Sequence, residues 1–588
     1  MNIWIARLGN ENFNDTDLLE LKKITNECGL NSENVYRYTA HMVDYVSFFA
    51  EKEKTKKTYN HKQGYLRAYS GLLASNTGCG TDFRHAKSLF MKSSLAEIAT
   101  ELAGQFALIE VNNNKFRCAS DAVGNHKVFY FTAADGSCYV TNYIHFLRPF
   151  KKKEVNYQFL VDFIANGGTY GIESEEKNVF LIPASSELVW TNGSGLNINQ
   201  YYSLDQMLNP EELSEISCKK VAEHFQNVAE YLASNHNLIV PLSGGYDSRM
   251  ILKMFSERDL KSITTFTYPD HQYDLHIAKK IARNRQLEHI VLNSRKGLQT
   301  IDKIHKRTVA NYPFMSYSGI NSYQLNTKEY KLQDYGNVHV RGNTAVHAAI
   351  KKLDYINIRD GEKAIRMLAE NRINSKILTG FGKESSIKNF EKNYKEKYLD
   401  LHTHGIKVEL SKLHFIYEKF GNHQGYRYSF SRTKNPEDLY FPFADRIFLK
   451  LILSSDVDSY IKQKKNSIHH KLYSQLNNCV IKQFPFASGP HWDASKMEKK
   501  LFKIRNKHWK RVLTKIGIDK KKLSRKKQVE FIHSNLSSFE EIVHSYPKSG
   551  LWDYIDRDIF IYWLSSKELA MKNLKPIQRV LPYLKIGI

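Results

Sequence analysis

Seven consecutive residues combine the types that bind nucleotide phosphates: residues 243–249 read Ser-Gly-Gly-Tyr-Asp-Ser-Arg. A glycine pair permits a tight turn with positive φ and a close approach of backbone to ligand. The amides of such a turn, together with a helix N-terminus, suit pyrophosphate. Ser243 and Ser248 can add hydroxyl donors, and Asp247 suits Mg²⁺, which prefers one or two carboxylates plus phosphate oxygens and water. The string therefore predicts a loop that binds a nucleotide and splits it between the α and β phosphates.

Such a loop needs a strand before it and a helix after it, and the flanking sequence has both patterns. An apolar run at 238–242 precedes it, and a helical pattern at 250–255 follows. Further β runs at 262–268 and 289–292 alternate with a helical pattern at 274–285. This alternation predicts an α/β fold with a doubly wound parallel sheet. A bare glycine pair more often marks a simple turn, but the full string in this context favours nucleotide binding.

The first third of the chain has a different pattern of apolar residues. Residues 1–205 contain short alternating apolar runs separated by turn residues, for example a hairpin pattern over 106–119. Residues 360–588 are predicted to be mostly helical. We therefore predict two domains, 1–205 and 206–588.

Composition excludes several classes of protein. The 588 residues are 42% hydrophobic and 25% charged, which permits a large core and excludes an intrinsically disordered chain. The six cysteines form no Cys-x-x-Cys pair, and neither His-Glu-x-x-His nor Gly-x-Ser-x-Gly occurs, so a disulfide scaffold, a zinc site and a serine hydrolase lack support. The start resembles no signal peptide, and no apolar run approaches the roughly 18 residues of a membrane span. We expect a soluble cytoplasmic protein.

The loop and several segments around it resemble the asparagine synthetase family. The string at 243–249 is similar to the PP-loop of ATP pyrophosphatases, and the other segments resemble, in order, the glutaminase and synthetase domains of class II amidotransferases. In the first domain these segments are 102–109, 118–130, 139–142, 159–171 and 180–183. In the second they are 265–268 with Asp274 and Ala278, then 441–446 and 551–556.

This resemblance implies an N-terminal Ntn-hydrolase-like αββα sandwich, followed by a PP-loop domain with a helical C-terminal part. It also implies an ATP- and Mg²⁺-dependent ligase that activates a small-molecule or peptide carboxylate as an acyl-adenylate. Asp247 would hold the metal, and a lysine after 441–446, Lys465 or Lys471, would join it in catalysis. The residues expected to bind ATP are Leu242, Ser243, Gly244, Gly245, Tyr246, Asp247, Ser248, Arg249, Thr267, Tyr268, Arg341 and Gly342.

The sequence departs from this family at two places. Family glutaminases use an N-terminal cysteine, whereas this sequence begins Met-Asn-Ile and has its first cysteine at Cys28. We therefore expect an inactive glutaminase domain and ammonia or a substrate amine as the nucleophile, as in lasso-peptide cyclases and β-lactam synthetases. The second departure is the loop at 341–347, which lacks the family's carboxylates; Arg341 could bind phosphate, and Asn343 and His347 could position a substrate.

A basic segment at 496–530 carries much of the net charge of +25. It holds fifteen Lys/Arg and three Asp/Glu, a balance of +12, with apolar residues at helical spacing. A solvated face of a core helix, an acidic peptide or glycan substrate, an anionic membrane and a nucleic acid all fit this pattern. Two other functions also stay open at this point: a scaffold that has lost catalysis, and an RNA-modifying PP-loop enzyme. A homodimer is compatible with the family.

Overall fold

The computed structural model describes most of both predicted domains. The described residues are 2–27, 31–49, 58–62, 65–74, 94–166, 169, 171–267, 272–291, 338–342, 361–373, 376–403, 438–454, 468–476, 497, 500, 501, 504, 534–545 and 548–585. Across these ranges, none of the helices has the length and apolar character that crossing a membrane requires.

Two six-stranded antiparallel sheets form the N-terminal part. The first has the spatial order β10 (Phe180–Leu181), β8 (Phe129–Thr132), β9 (Cys138–Thr141), β1 (Asn2–Leu8), β3 (Val43–Phe49) and β2 (Val35–Ala40). The second has the order β12 (Gly195–Gln200), β11 (Ser186–Thr191), β7 (Lys115–Ser120), β6 (Ala103–Asn112), β5 (Tyr65–Ala74) and β4 (Thr58–Lys62).

The two sheets pack face to face, with helices on their outer faces. Trp4 and Val140 of the first sheet share one apolar cluster with Ile109 and Leu188 of the second. All seven residues of β1 are buried, because the strand is covered on both faces. The outer faces pack against α1 (Asp15–Glu27) and α2 (Leu95–Glu101). This confirms the predicted αββα sandwich.

The third sheet is parallel and has five short strands among the described residues. Its order is β15 (Glu288–Val291), β14 (Ile263–Thr267), β13 (Leu238–Pro241), β16 (Val338–Val340) and β17 (Asp438–Tyr440). In chain order this is 3-2-1-4-5, the order of a doubly wound sheet, so the predicted fold class is confirmed. The order reverses between β13 and β16, and ligands of such sheets bind in the crevice outside the carboxyl ends of the strands there.

Fifteen further helices follow along the described part of the chain. They are α3 (Tyr157–Asn166), α4 (Leu204–Met207), α5 (Pro210–Ser214), α6 (Cys218–Asn235), α7 (Tyr246–Met254), α8 (Glu257–Leu260), α9 (Gln272–Asn284), α10 (Gly361–Arg372), α11 (Gly380–Thr403), α12 (Arg446–Leu453), α13 (Ile468–Gln475), α14 (Leu536–Ser545), α15 (Arg557–Leu564), α16 (Lys567–Lys572) and α17 (Leu574–Lys585). In the described ranges, 3₁₀ turns lie at Ile144–Leu147, Pro442–Ala444 and Gly550–Asp553.

A buried carboxylate joins the two parts of the chain. Asp162 on α3 is 1% exposed, and it accepts hydrogen bonds from Ser386 Oγ at 2.6 Å and Asn389 Nδ2 at 2.6 Å, both on α11. Gln158 Nε2 adds a third bond at 3.1 Å. Burial raises the pKa of Asp162 to about 7, although these three donors oppose the shift. The domain boundary at 205 stays a prediction, but strands up to β12 and from β13 onward lie in separate sheets.

Asp162 should make the protein less stable as the pH rises from 5 to 8. The folded carboxyl binds its proton more tightly than the unfolded one, so stability falls between the unfolded pKa near 4 and the folded pKa near 7. The Asp162→Asn variant has no carboxyl group to titrate at this position, so its free energy of unfolding should not show this loss. Measured relative to wild type, its free energy of unfolding should rise by on the order of 2–3 kcal/mol between pH 5 and pH 8. Melting temperatures at both pH values measure the difference, and the exposed Asp558→Asn serves as control. A difference between Asp162→Asn and wild type that does not change with pH would contradict the assignment.

Candidate nucleotide-binding site

The loop at 243–248 begins where β13 ends. Leu242 extends the parallel pairing by one bond, since its N–H donates to Phe266 O at 2.8 Å, and the Thr267 hydroxyl donates to Leu242 O at 2.6 Å. Gly245 caps α7, which begins at Tyr246, so the predicted strand, turn and helix are all present. The loop therefore lies at the carboxyl edge of the central strand, beside the point where the strand order reverses.

The three backbone N–H groups of the turn donate within the protein. Ser243 N donates to Ser248 Oγ at 3.2 Å, Gly245 N to Ser243 Oγ at 3.0 Å, and Gly244 N to Asp274 Oδ1 at 2.9 Å. Ser243 Oγ and Ser248 Oγ also lie 3.0 Å apart. The sequence predicted amides directed at a ligand, whereas in this structure side chains accept their hydrogen bonds. Backbone donors that are shielded from water are almost always satisfied, which explains the difference.

Side chains behind the loop hold its shape. Arg249 is fully buried, and its Nη2 donates to Gly244 O at 3.3 Å, so its guanidinium supports the turn from the protein side. Lys253 on α7 is 1% exposed and donates to Tyr473 O at 2.7 Å, with Nζ 4.1 Å from the ring centroid of Tyr473. That ring lies 5.3 Å from the ring of Tyr246. The sequence patterns did not indicate that Lys253 and Tyr473 support the loop. A lysine among the apolar residues of α7 was the signal that could have indicated Lys253.

The other side of the crevice is formed by the end of β16. A Cβ added at Gly342 would lie 3.1 Å from Asp247 Cβ and 3.2 Å from its carbonyl carbon, so the two backbones approach closely. Arg341 N donates to Tyr440 O at 2.9 Å, and its Nε lies 3.2 Å from His339 Nε2. Burial and the charge of Arg341 hold the pKa of His339 well below its usual range. His339 is thus neutral, and it orients Arg341 without cancelling its charge.

Thr267 and His289 lie beneath the loop. Thr267 donates to Leu242 O, as described, and its Oγ1 lies 3.3 Å from His289 Nε2. His289 Nδ1 lies 2.9 Å from Thr265 Oγ1. Burial lowers the pKa of His289 to about 4, and the Lys279 ammonium adds to this effect, so the ring is neutral near pH 7. The Thr267 hydroxyl therefore supports the backbone that leads into the loop.

The catalytic role of Lys471 stays a prediction. Lys471 lies on α13 with an exposed side chain, and it is Tyr473, two residues later, that contacts Tyr246. Burial raises the pKa of the Cys218 thiol on α6, and the charge of Lys471 opposes this shift. The predicted Lys465 and Tyr268, residues 343–347, and most of the basic segment at 496–530 lie outside the described residues. Of that segment, Met497, Leu501 and Ile504 are described as exposed.

Two carboxylates are available at the loop for a magnesium ion. Asp247 is in the first turn of α7, and its Oδ1 is shielded from solvent. The Asp274 carboxylate contacts the same loop at Gly244. One or two carboxylates fit Mg²⁺, which takes its other ligands from phosphate and water. Within the described ranges no group of three or more His, Cys, Asp or Glu side chains forms a metal cage, and a phosphate-dependent Mg²⁺ site does not need one.

Replacing Gly342 with alanine should impair nucleotide binding. The added Cβ would press on the Asp247 backbone, which cannot move without moving the start of α7. We expect at least about a tenfold weaker affinity for an ATP analogue, measured by calorimetry. Gly380→Ala is the matched control, because a Cβ at Gly380 meets nothing within 4 Å. Equal affinities for the two variants would show that the approach of Gly342 to Asp247 does not shape the site.

A comparison with protein families gives a match that includes this loop. Residues 221–330, less than a fifth of the chain, match the family model "Asparagine synthase". No curated protein matches the chain. The similarity of residues 221–330 to asparagine synthase supports a ligase that uses ATP to form a carbon–nitrogen bond.

Two solved structures are similar to longer parts of the chain. One is glutamine phosphoribosylpyrophosphate amidotransferase from B. subtilis complexed with ADP and GMP, with 8% identity, a TM-score of 0.24, and coverage of 51% of this chain and 68% of that one. Another, titled as the allosteric regulatory enzyme of purine biosynthesis, has 9% identity, a TM-score of 0.25, and coverage of 60% and 77%. At these scores neither likeness bears on function, and the similarity of residues 221–330 to asparagine synthase is the informative result.

Proposed function

We propose that this protein is an ATP-dependent ligase that activates a substrate carboxylate as an acyl-adenylate and couples it to an amine or ammonia. The observation that carries the proposal is the position of the loop. The Ser-Gly-Gly-Tyr-Asp-Ser loop lies at the carboxyl end of β13, at the switch point of a doubly wound sheet, within the segment that is similar to asparagine synthase.

In the first step a carboxylate oxygen of the substrate attacks the α-phosphorus of ATP, the bond between the α-phosphorus and the bridging oxygen breaks, and pyrophosphate leaves. In the second step the amine nitrogen attacks the acyl carbon, AMP leaves, and the nitrogen loses a proton. The Ser243 and Ser248 hydroxyls and the Arg341 guanidinium would orient the phosphates and stabilise their charge. Arg341 suits this role because its acceptor, His339, is neutral.

A magnesium ion would be held by Asp247 with phosphate oxygens, and it would neutralise charge on the departing pyrophosphate. Arg341 lies at the end of β16, where the family resemblance implied an acidic loop. We propose that its fixed cation performs part of this neutralisation.

The nitrogen donor is proposed to be ammonia or a substrate amine, because the described thiols of the N-terminal part are poor nucleophiles. Cys118 and Cys138 are buried, and burial raises the pKa of both, that of Cys138 to about 12. Asn2, the first residue of β1, is 1% exposed, and its amide donates to Ser47 Oγ at 3.4 Å and Tyr69 O at 3.3 Å. The buried start of β1 thus offers an amide where a glutaminase needs a thiol.

Incubation with ATP, Mg²⁺ and a panel of carboxylic acids tests the proposed chemistry. Pyrophosphate and AMP should form, and hydroxylamine should trap the acyl-adenylate as a hydroxamate. Asp247→Asn should lower the rate at least about a hundredfold, because the metal loses its charged ligand. Asp556→Asn, at a carboxylate that accepts Ile559 N at 2.9 Å on α15, is the control. Formation of ADP instead of AMP, or a fully active Asp247→Asn variant, would overturn the proposal.

Glutamine should not serve as a nitrogen source. With a substrate acid that supports pyrophosphate release, ammonium or an amine should give product, and glutamine should give neither amide product nor glutamate. Chromatographic measurement of glutamate, with and without ATP, is the readout. Glutamate formed at a rate matching product formation would contradict the assignment of an amine donor.

A further inference from the structure

Asp274 makes an unusual contact with the nucleotide loop. It lies in the first turn of α9, and its Oδ1 accepts the N–H of Gly244 at 2.9 Å. Gly244 is itself buried, so an incoming ligand cannot reach this N–H while the carboxylate remains there. Gly244 is the middle of the three loop amides described above.

The acceptor of the Gly244 N–H is an anion, whereas the acceptors of the other two loop amides are neutral. The amides of Ser243 and Gly245 donate to serine hydroxyls, which are neutral and can rotate to donate to a phosphate instead. The amide of Gly244 donates to an anion, and such charge-assisted bonds are roughly twice as strong as neutral ones. A carboxylate oxygen and a phosphate oxygen are both anionic acceptors for such an amide.

We propose that Asp274 competes with a phosphate oxygen for the N–H of Gly244 and thereby makes nucleotide binding depend on a divalent cation. This inference rests on the proposed function. A polyphosphate and the Asp274 carboxylate compete for one N–H, and like charges placed side by side repel each other. A divalent cation held by Asp247, three residues further along the loop, would attract both anions and so offset the repulsion between them.

A purely structural role for Asp274 predicts a different outcome. If the carboxylate only holds the loop in shape, any loss of it should weaken nucleotide binding with or without metal. Asparagine at this position separates the two roles, because its amide oxygen still accepts the Gly244 N–H while the negative charge is gone.

The test is the affinity of the full chain for α,β-methylene ATP, measured by calorimetry in EDTA and in Mg²⁺. Wild type should bind at least about tenfold more weakly in EDTA than in Mg²⁺. Asp274→Asn should bind at least about tenfold more tightly than wild type in EDTA, so that its dependence on Mg²⁺ largely disappears. Asp274→Ser, which keeps a neutral acceptor, should show the same trend, and the control Asp556→Asn should behave as wild type.

Each outcome decides a different point. An unchanged ratio of the two affinities in both Asp274 variants, or weaker binding by both variants in both buffers, overturns this inference and leaves the proposed function standing. Failure of wild type to bind the analogue in either buffer overturns the proposed function and this inference together.

Discussion

The hydrogen bonds of the Leu242 backbone fix the position at which the loop of the candidate site begins. The N–H of Leu242 bonds to Phe266 O and its C=O accepts the Thr267 hydroxyl, so the residue that follows the central strand is tied to β14 through both of its backbone polar groups. The loop begins at the next residue and has little freedom in direction. Because β13 is the central strand, the same tie places the loop beside the end of β16, where Gly342 meets Asp247.

Positive and negative side chains lie on opposite sides of the crevice at this edge of the sheet. Arg341 is 8% exposed and is held against His339, which is buried and neutral. The two carboxylates at the site, Asp247 and Asp274, both belong to the β13 side of the crevice, one in α7 and one in α9. The crevice therefore has a cationic wall and an anionic wall, an arrangement suited to a phosphate chain with a metal ion on one side.

Hydrogen bonds join the N-terminal part of the chain to the part that carries the parallel sheet. Phe441, which follows β17, donates its N–H to Gln105 Oε1 at 2.9 Å, so a strand end of the parallel sheet is bonded to β6. Asp162 bonds to α11, and Arg579 of α17 donates to Ile164 O at 2.8 Å. Polar bonds buried between the two parts fix their relative position, because breaking any of them would leave a donor or acceptor unsatisfied.

The doubly wound fold class and the loop at 243–249 with its strand and helix could be predicted from the sequence, since they follow from local periodicity and from a string whose residues are adjacent in the chain. The αββα sandwich was implied by the family resemblance, because periodicity alone indicated only a mainly β region. The order of the parallel strands and the meeting of Gly342 with Asp247 depend on which strands pair, and pairing between distant segments leaves no local pattern. Only the tertiary structure decided that Arg249 lies behind the loop, that Lys253 anchors Tyr473, and that Asp274 occupies the Gly244 amide. The physical reason is that a backbone donor takes whatever acceptor folding brings within reach, and that acceptor came from 30 residues further along the chain.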